Sequence, residues 1–319
     1  MRKELLYVPF VLLFVAACSK DSALLPVPEA DNDVLQLLSA ATDEAAEIPR
    51  TIITTTNLDN LRLYATTTGG AAYVGNSGRA FGDYAKTGGT WSTTGTAQIK
   101  INSDACVYAV YPAGTTISQT GTTSPQASVN ILTADNFVAA GQTDYLYSNG
   151  YQTVHSANHK VSFSNMKHAL AKVSFKITKM GAEDMTLTKV EIREKNRMLL
   201  AGNGNMNITD GTFSGGLGGV EALTLTGSVV LTAAEDLSGP NVTCLAVPVN
   251  GMNGLSFRLT IRVGAETRTL ETDVLSSAQQ WEKSIHYVYA ISVGKGQVEF
   301  KNMRIYDWMD DATTSVGIQ

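Results

Sequence analysis

The sequence predicts an all-β protein: two tandem, Greek-key-like β-sandwich domains behind an export signal. Three observations carry that expectation. Apolar and polar residues alternate with period two along many short segments, the pattern of a strand with one buried and one wet face. Glycine pairs and a Pro-Ala-Gly stop punctuate them at turn spacing, at Gly69-Gly70, Gly88-Gly89 and Pro112-Ala113-Gly114. No convincing amphipathic helix stands out. Of the 319 residues, 44% are hydrophobic and 17% charged, which suits a folded chain of one or two domains rather than a disordered one.

The first 17 residues read as a secretory signal peptide. Arg2 and Lys3 form a basic head, and Leu5 to Ala17 form an apolar stretch. That stretch is shorter than the roughly 20 residues that span a bilayer. It closes on Val15-Ala16-Ala17-Cys18, which resembles a bacterial lipobox with Cys18 as the acylated residue. Several acyl chains on one residue would hold the protein on the outer membrane, at about 0.8 kcal/mol per buried CH2. Ser19-Lys20-Asp21 resembles an export tag to the outer face.

Residues 18–50 read as a tether. Val34-Leu35-Gln36-Leu37-Leu38 is an apolar patch that must be buried somewhere, and Asp43, Glu44 and Glu47 are acidic. Pro49 favours extended, accessible backbone around Arg50, so the Arg50–Thr51 bond suits a trypsin-like protease. On composition alone Arg50 is a linker residue.

The N-terminal domain is expected over 51–165. Thr51 to Thr56 is a β-branched run, Leu61, Leu63 and Ala65 alternate with Arg62 and Tyr64, and Ala97, Ile99 and Ile101 alternate with Gln98 and Lys100. Cys106 to Tyr111, Asp144 to Tyr147 and Val161 to Phe163 come after them. The C-terminal domain is expected over 166–319. His168 to Ile177 opens it, with Val173, Phe175 and Ile177 on the buried face and Lys172, Ser174 and Lys176 on the wet one. Segments at 188–192, 223–225 and 255–263 come next, the last with a hairpin partner from Thr267 across Gly264-Ala265-Glu266. Tyr287 to Val293, Val298 to Phe300 and Met303 to Trp308 complete the series, and a terminus so rich in strand formers is expected to be docked.

Chemistry is sparse. A formal charge of −5 argues against a nucleic-acid partner. His155 and His159 lack the intervening Glu and the helix of a zinc site, so a polar loop is expected there. His168 and His286 read as satisfied polar residues in strands. Gly215 to Gly219 precedes no helix and is a turn rather than a phosphate cradle. Asp31-Asn32-Asp33 and Asp310-Asp311 lack calcium-loop spacing. No nucleophile motif appears, so no enzyme, cofactor or metal is expected. With Cys18 lipidated, Cys106 and Cys244 could pair in an exported protein or stay as two buried thiols, the favoured reading.

Several segments together resemble the Bacteroidales fimbrillin family. They are the lipobox at Cys18, the Trp91 strand with V-Y-A-V-Y-P after it at 107–112, and D-Y-L-Y at 144–147. F-S-N-M-K-H-A-L-A-K-V-S-F-K-I at 163–177, W-E-K-S-I-H-Y-V-Y-A-I at 281–291 and I-Y-D-W at 305–308 complete the pattern. The resemblance implies two transthyretin-like sandwiches in a lipoprotein that becomes a pilus subunit and mediates adhesion. It implies cleavage at Arg50, removal of an N-terminal strand containing Val34 to Leu38, and filling of the groove by a neighbour's C-terminal strand. The donor is expected within 298–319, with Val298, Phe300, Met303, Ile305 and Trp308 as its large side chains. The expected partners are other fimbrial subunits, the outer membrane, and a host or bacterial surface ligand. One departure stands out: the stretch around Leu35 to Leu38 reads as a continuous apolar run, not a clean alternation. Two other readings remain, a non-polymerising tip or accessory adhesin and a glycan-binding surface lipoprotein. The glycan reading would need an aromatic platform.

Overall fold

The computed structural model describes residues 33–42, 53–75, 77–133, 136–139, 141–236 and 239–308. The expected signal peptide, Cys18, Arg50, Thr51 and the tail from 309 onward lie outside them. Among the described residues the fold is all-β, as the alternation predicts, with one 3-10 turn at Ala234–Asp236.

Strand Ala105–Tyr111 explains the layering of the N-terminal half. It is apolar at every position because both its faces are covered. Ala105, Val107 and Ala109 join Leu61, Leu63 and Ala65 in one core. Cys106, Tyr108 and Val110 point the other way and join Tyr64 in a second. The sheet it belongs to runs Gln36–Thr42, Lys160–His168, Leu146–Tyr147, Ala105–Tyr111, Asn60–Thr67, Phe81–Thr87, Thr90–Thr94. Its second face meets a smaller sheet in which Gln126–Ile131 pairs antiparallel with Leu199–Asn207. Ala127, Val129, Ile131 and Met206 supply that side of the second core.

A third core lies between two four-stranded sheets. One runs Val242–Ala246, Ala171–Lys179, Ile285–Val293, Val298–Asp307; the other runs Ala222–Val230, Met185–Glu194, Leu255–Val263, Glu266–Glu271. Phe175, Phe257 and Tyr289 meet at its centre, with ring centroids 4.8 to 5.6 Å apart. Such pairs add about 0.5–1.5 kcal/mol each beyond their buried area. The Trp281 indole donates to the Tyr289 hydroxyl at 2.9 Å, which satisfies a buried polar edge. By their contacts, the residues from Asp33 onward group as one unit.

The structure differs from the sequence expectation at four places. Residues 53–58 form a turn, not a strand: Asn57 and Leu58 donate their amides to the Thr54 carbonyl, and the Asn57 side chain accepts from Thr54. A side-chain amide that bonds nearby backbone overrides β-branched propensity there. The stretch 97–101 buries Ile99 and Ile101 as the alternation predicts, but it forms only an isolated bridge, from Lys100 to Val34. The hairpin after Val263 turns through Gly264-Ala265 alone, so Glu266 already pairs with Val263. Gly264 takes φ +60°, which a two-residue turn of this kind requires. Finally, the expected wet face of the strand from Ala171 is largely covered: Lys172 and Ser174 are buried and Lys176 is half-buried. Ser174 is satisfied by Thr243 Oγ1 and His286 Nε2, each at 2.8 Å. An inner strand in a layered fold is covered on both sides, and its polar residues pair laterally.

Cys106 and Cys244 are both free and buried, one in the second core and the other in the third. Burial pushes the Cys244 thiol up to about 12, which keeps it protonated and inert.

The clearest ion pair joins Asn60–Thr67 to Phe81–Thr87, where Arg62 lies opposite Asp83. Arg62 Nε and Nη2 bond the two carboxylate oxygens at 2.7 and 2.6 Å, and Nη1 donates to the Thr115 carbonyl at 2.7 Å. Partial burial would raise the Asp83 pKa. The hydrogen bonds from Arg62 and the Gly114 amide, with the Arg62 charge, outweigh it and hold the carboxyl below the usual range. The folded value is thus below the unfolded one, so this stabilisation is complete above pH ~4 and is lost as the pH falls through the folded value. Asp83→Asn should lower stability by about 1 kcal/mol at pH 7, the low end for a charged pair that solvent still reaches. The deficit should vanish in strong acid, as read by urea unfolding at both pH values.

Candidate functional site

The site is the edge strand Gln36–Thr42 and the slot that holds it. The strand lies parallel to Lys160–His168, a pairing that local sequence cannot produce because parallel neighbours need a long connection. On its other flank, Leu35 donates to the Ile99 carbonyl at 2.9 Å, and Ile101 donates to Asp33 at 2.7 Å. The Tyr84 hydroxyl donates to the Leu35 carbonyl at 2.6 Å from inside the core, and burial pushes its pKa well up. Residues 33–35 are therefore held on one flank and Gln36–Thr42 on the other, with Tyr84 bonding Leu35 from below.

The burial of its side chains shows how the apolar stretch is used. The ladder shifts register between Leu37 and Ser39 and again between Ala40 and Thr42. Such a shift adds a residue on one strand and re-aims the side chains beyond it. Leu35 and Leu37 point into the first core at 1% and 4% exposure, Leu38 is turned out at 55%, and Ala40 and Thr42 return inward. Within 35–38 the burial therefore alternates as in any strand, with Leu38 left on the outer face, and the bulge shifts the phase only beyond it, so that Ala40 rather than Ser39 turns inward. Fully burying each leucine contributes about 1.5–3 kcal/mol.

The two ends of the 43–52 connection are held side by side. The Thr42 amide donates to Thr55 Oγ1 at 3.1 Å, and the two hydroxyls lie 3.1 Å apart. Ile53 donates its amide to Asp144 Oδ2 at 2.9 Å. Asp144 also holds His168: Nδ1 sits 2.9 Å from both carboxylate oxygens, and neither side chain is exposed. A carboxylate only accepts, so Nδ1 carries the proton. The His168 ring stacks on Trp308 at 4.2 Å and 17°.

Trp308 closes the other candidate element. Strand Val298–Asp307 forms the edge of its sheet against Ile285–Val293. Val298, Phe300 and Met303 lie half-buried against the third core, Ile305 is 41% exposed, and Trp308 is fully buried in the second core. The donor-strand residues expected from the sequence are thus docked in their own chain. Glu299, Lys301, Arg304 and Asp307 project from this edge, charges that discourage indiscriminate pairing.

The remaining sequence candidates fall elsewhere. His155 and Asn158 exchange backbone hydrogen bonds in a tight turn, and His155 Nδ1 lies 3.0 Å from Asp104. Trp91, Trp281 and Trp308 are all buried. Sequence reasoning missed Tyr84, Thr55 and Ile53, and it quoted Asp144 only as part of a motif. Hydrogen bonds that tie residues 49 and 91 positions apart leave no local signal.

Residues 42–308 match the profile of a family described as fimbrillin-like. No curated protein matches the chain significantly. Among solved structures, a candidate cell adhesion protein from Bacteroides uniformis covers 86% of this chain and 97% of its own, at 19% identity and a TM-score of 0.52. Another from Bacteroides ovatus covers 86% and 96%, at 18% identity and 0.54. A fimbrial protein from Bacteroides vulgatus covers 86% and 99%, at 13% identity and 0.53. At these identities the likeness is one of fold.

The register makes adjacent leucines unequal. Leu37→Ala should cost about 2–5 kcal/mol, as for a buried leucine. Leu38→Ala should stay within about 0.5 kcal/mol, as for a surface site. Urea unfolding of the two variants reads the difference; equal losses would mean that the bulge is elsewhere.

Proposed function

We propose that the chain, which belongs to the fimbrillin-like family and shares its fold with fimbrial and candidate cell adhesion proteins, is a fimbrial subunit activated by proteolysis and assembled by strand exchange. It is exported as a lipoprotein, acylated at Cys18 and held on the outer membrane until it is processed. An Arg-specific protease cuts between Arg50 and Thr51. The fragment carrying strand Gln36–Thr42 then leaves, and a strand from the C-terminal end of a neighbour, within Val298–Gln319, takes the slot.

One observation carries this reading. Strand Gln36–Thr42 completes the first core from the sheet edge and is joined to the rest only through the 43–52 connection, which contains Arg50. A cut there leaves the strand attached by non-covalent contacts alone. The vacated slot would offer unpaired backbone from residues 159–166 and 99–101 over an apolar floor, a ready site for strand addition. Head-to-tail repetition of such a contact is heterologous and builds an open filament. An incoming strand would match the pockets that Leu35, Leu37 and Ala40 now fill, which sets its register.

A tip or accessory adhesin that keeps its N-terminal strand is the second reading. It is favoured by how completely Leu35 and Leu37 are seated. The N-terminus of the protein shed from the cell surface separates the two. A start at Thr51, with an SDS-resistant ladder that disappears in Arg50→Ala, is the expected result. An acylated Cys18 start with no ladder would establish the second reading instead.

A further inference from the structure

We propose that the buried Asp144–His168 pair couples the seat of strand Gln36–Thr42 to the base of strand Val298–Asp307, so that loosening either element loosens the other. The coupling stands on contacts among described residues; only its use in assembly rests on the strand-exchange reading.

The contacts form one continuous chain. Thr42, at the end of the N-terminal strand, is held by Thr55. Two residues earlier, Ile53 packs in the same core as Leu35, Leu37 and Ala40, and its amide bonds Asp144. Asp144 holds His168, and His168 stacks on Trp308. Trp308 comes directly after Asp307, the last residue paired with Ile285. The N-terminal strand and the C-terminal strand lie at the edges of different sheets, and this chain joins them through one buried carboxylate.

The carboxylate is what makes the chain responsive. Asp144 and His168 have no exposed side-chain surface, so no solvent can replace a donor that leaves. Loss of the Gln36–Thr42 strand opens one side of the core that Ile53 shares and removes the Thr42 partner of Thr55. If the Ile53 amide then swings away, Asp144 Oδ2 loses a charge-assisted hydrogen bond inside the protein. The carboxylate must turn toward its remaining donors, and the imidazole on Nδ1 turns with it. That rotation breaks the near-parallel stack on Trp308. A close-packed interior answers such a change by switching between arrangements rather than by stretching. Release of the N-terminal strand would thus weaken the grip on the root of the C-terminal one, and an opened subunit would become a better donor. Linkage requires the reverse as well: disturbing Trp308 must loosen the N-terminal strand.

The reverse direction gives a test that needs no protease. Hydrogen exchange by mass spectrometry is measured on the uncut, unlipidated chain. Trp308→Ala should speed exchange in 33–42 and 53–58 by about 5-fold or more, the lower range of allosteric couplings. Exchange in 255–263, in the third core, should be unchanged. Asp144→Asn should have the same effect, and the double variant should exchange no faster than the faster single one. Trp308→Phe, which keeps a ring against His168, should stay close to wild type. If Trp308→Ala does not fold, His168→Gln carries the same reading. Wild-type exchange in 33–42 of Trp308→Ala, or multiplicative effects in the double variant, would overturn the coupling. A failure of the chain to polymerise would leave these rates untouched, so the two ideas fail separately.

Discussion

The N-terminal core depends on an interaction made by a strand from outside its own hairpin series. Leu35, Leu37 and Ala40 close an apolar space that Leu61, Leu63, Val161 and Phe163 open. None of the flanking elements can supply those side chains, because strand Lys160–His168 already presents its inward residues and 99–101 contributes only Ile99 and Ile101. The first core is therefore complete only while a strand lies at that edge. Its geometry fixes what the strand must be: parallel to Lys160–His168, apolar at the inward positions, and tolerant of two register shifts. The ladder is irregular, so side chains more than an even row of backbone bonds define the fit.

The rest of the molecule is arranged to hold that edge in place. The doubly covered strand Ala105–Tyr111 backs the first core and shares its opposite face with the small sheet built from Gln126–Ile131 and Leu199–Asn207. Residues distant in sequence thus stand on one platform, and Trp308 is packed into the same layer. The two four-stranded sheets form a separate core with an aromatic centre. The aromatic centre of the third core shares no residue with the first, so its packing does not rest on that edge strand.

Much of this was legible in the sequence, and the reasons for the exceptions are physical. Period-two alternation located Leu255–Val263, Ile285–Val293 and the strand from Ala171, because burial on at least one face leaves that signature. It failed for Leu199–Asn207, where Asn and Gly dominate and pairing with Gln126–Ile131 overrides propensity. It misjudged the outer face of Ala171–Lys179, since nothing local says that a Lys and a Ser will be covered by a second layer. The 35–38 stretch looked unlike a strand because Leu38, an apolar residue, occupies an outward position and hides the alternation. The Asp144–His168 pair was invisible for another reason: two common residues 24 apart acquire meaning only when Ile53 and Trp308 are brought to them.

The Thr42–Thr55 contact has a consequence for how tightly the strand is held. A connection of about 10 residues whose ends already touch keeps strand Gln36–Thr42 at an effective concentration on the order of millimolar. Its occupancy is then set by the chain itself and is independent of how much protein is present. Were the connection severed, only non-covalent contacts would hold the strand and that local concentration would be lost. Under the proposed strand exchange, a competing strand would then not need to bind more tightly to replace it. A single broken bond can thus reverse the outcome without altering one contact in the slot.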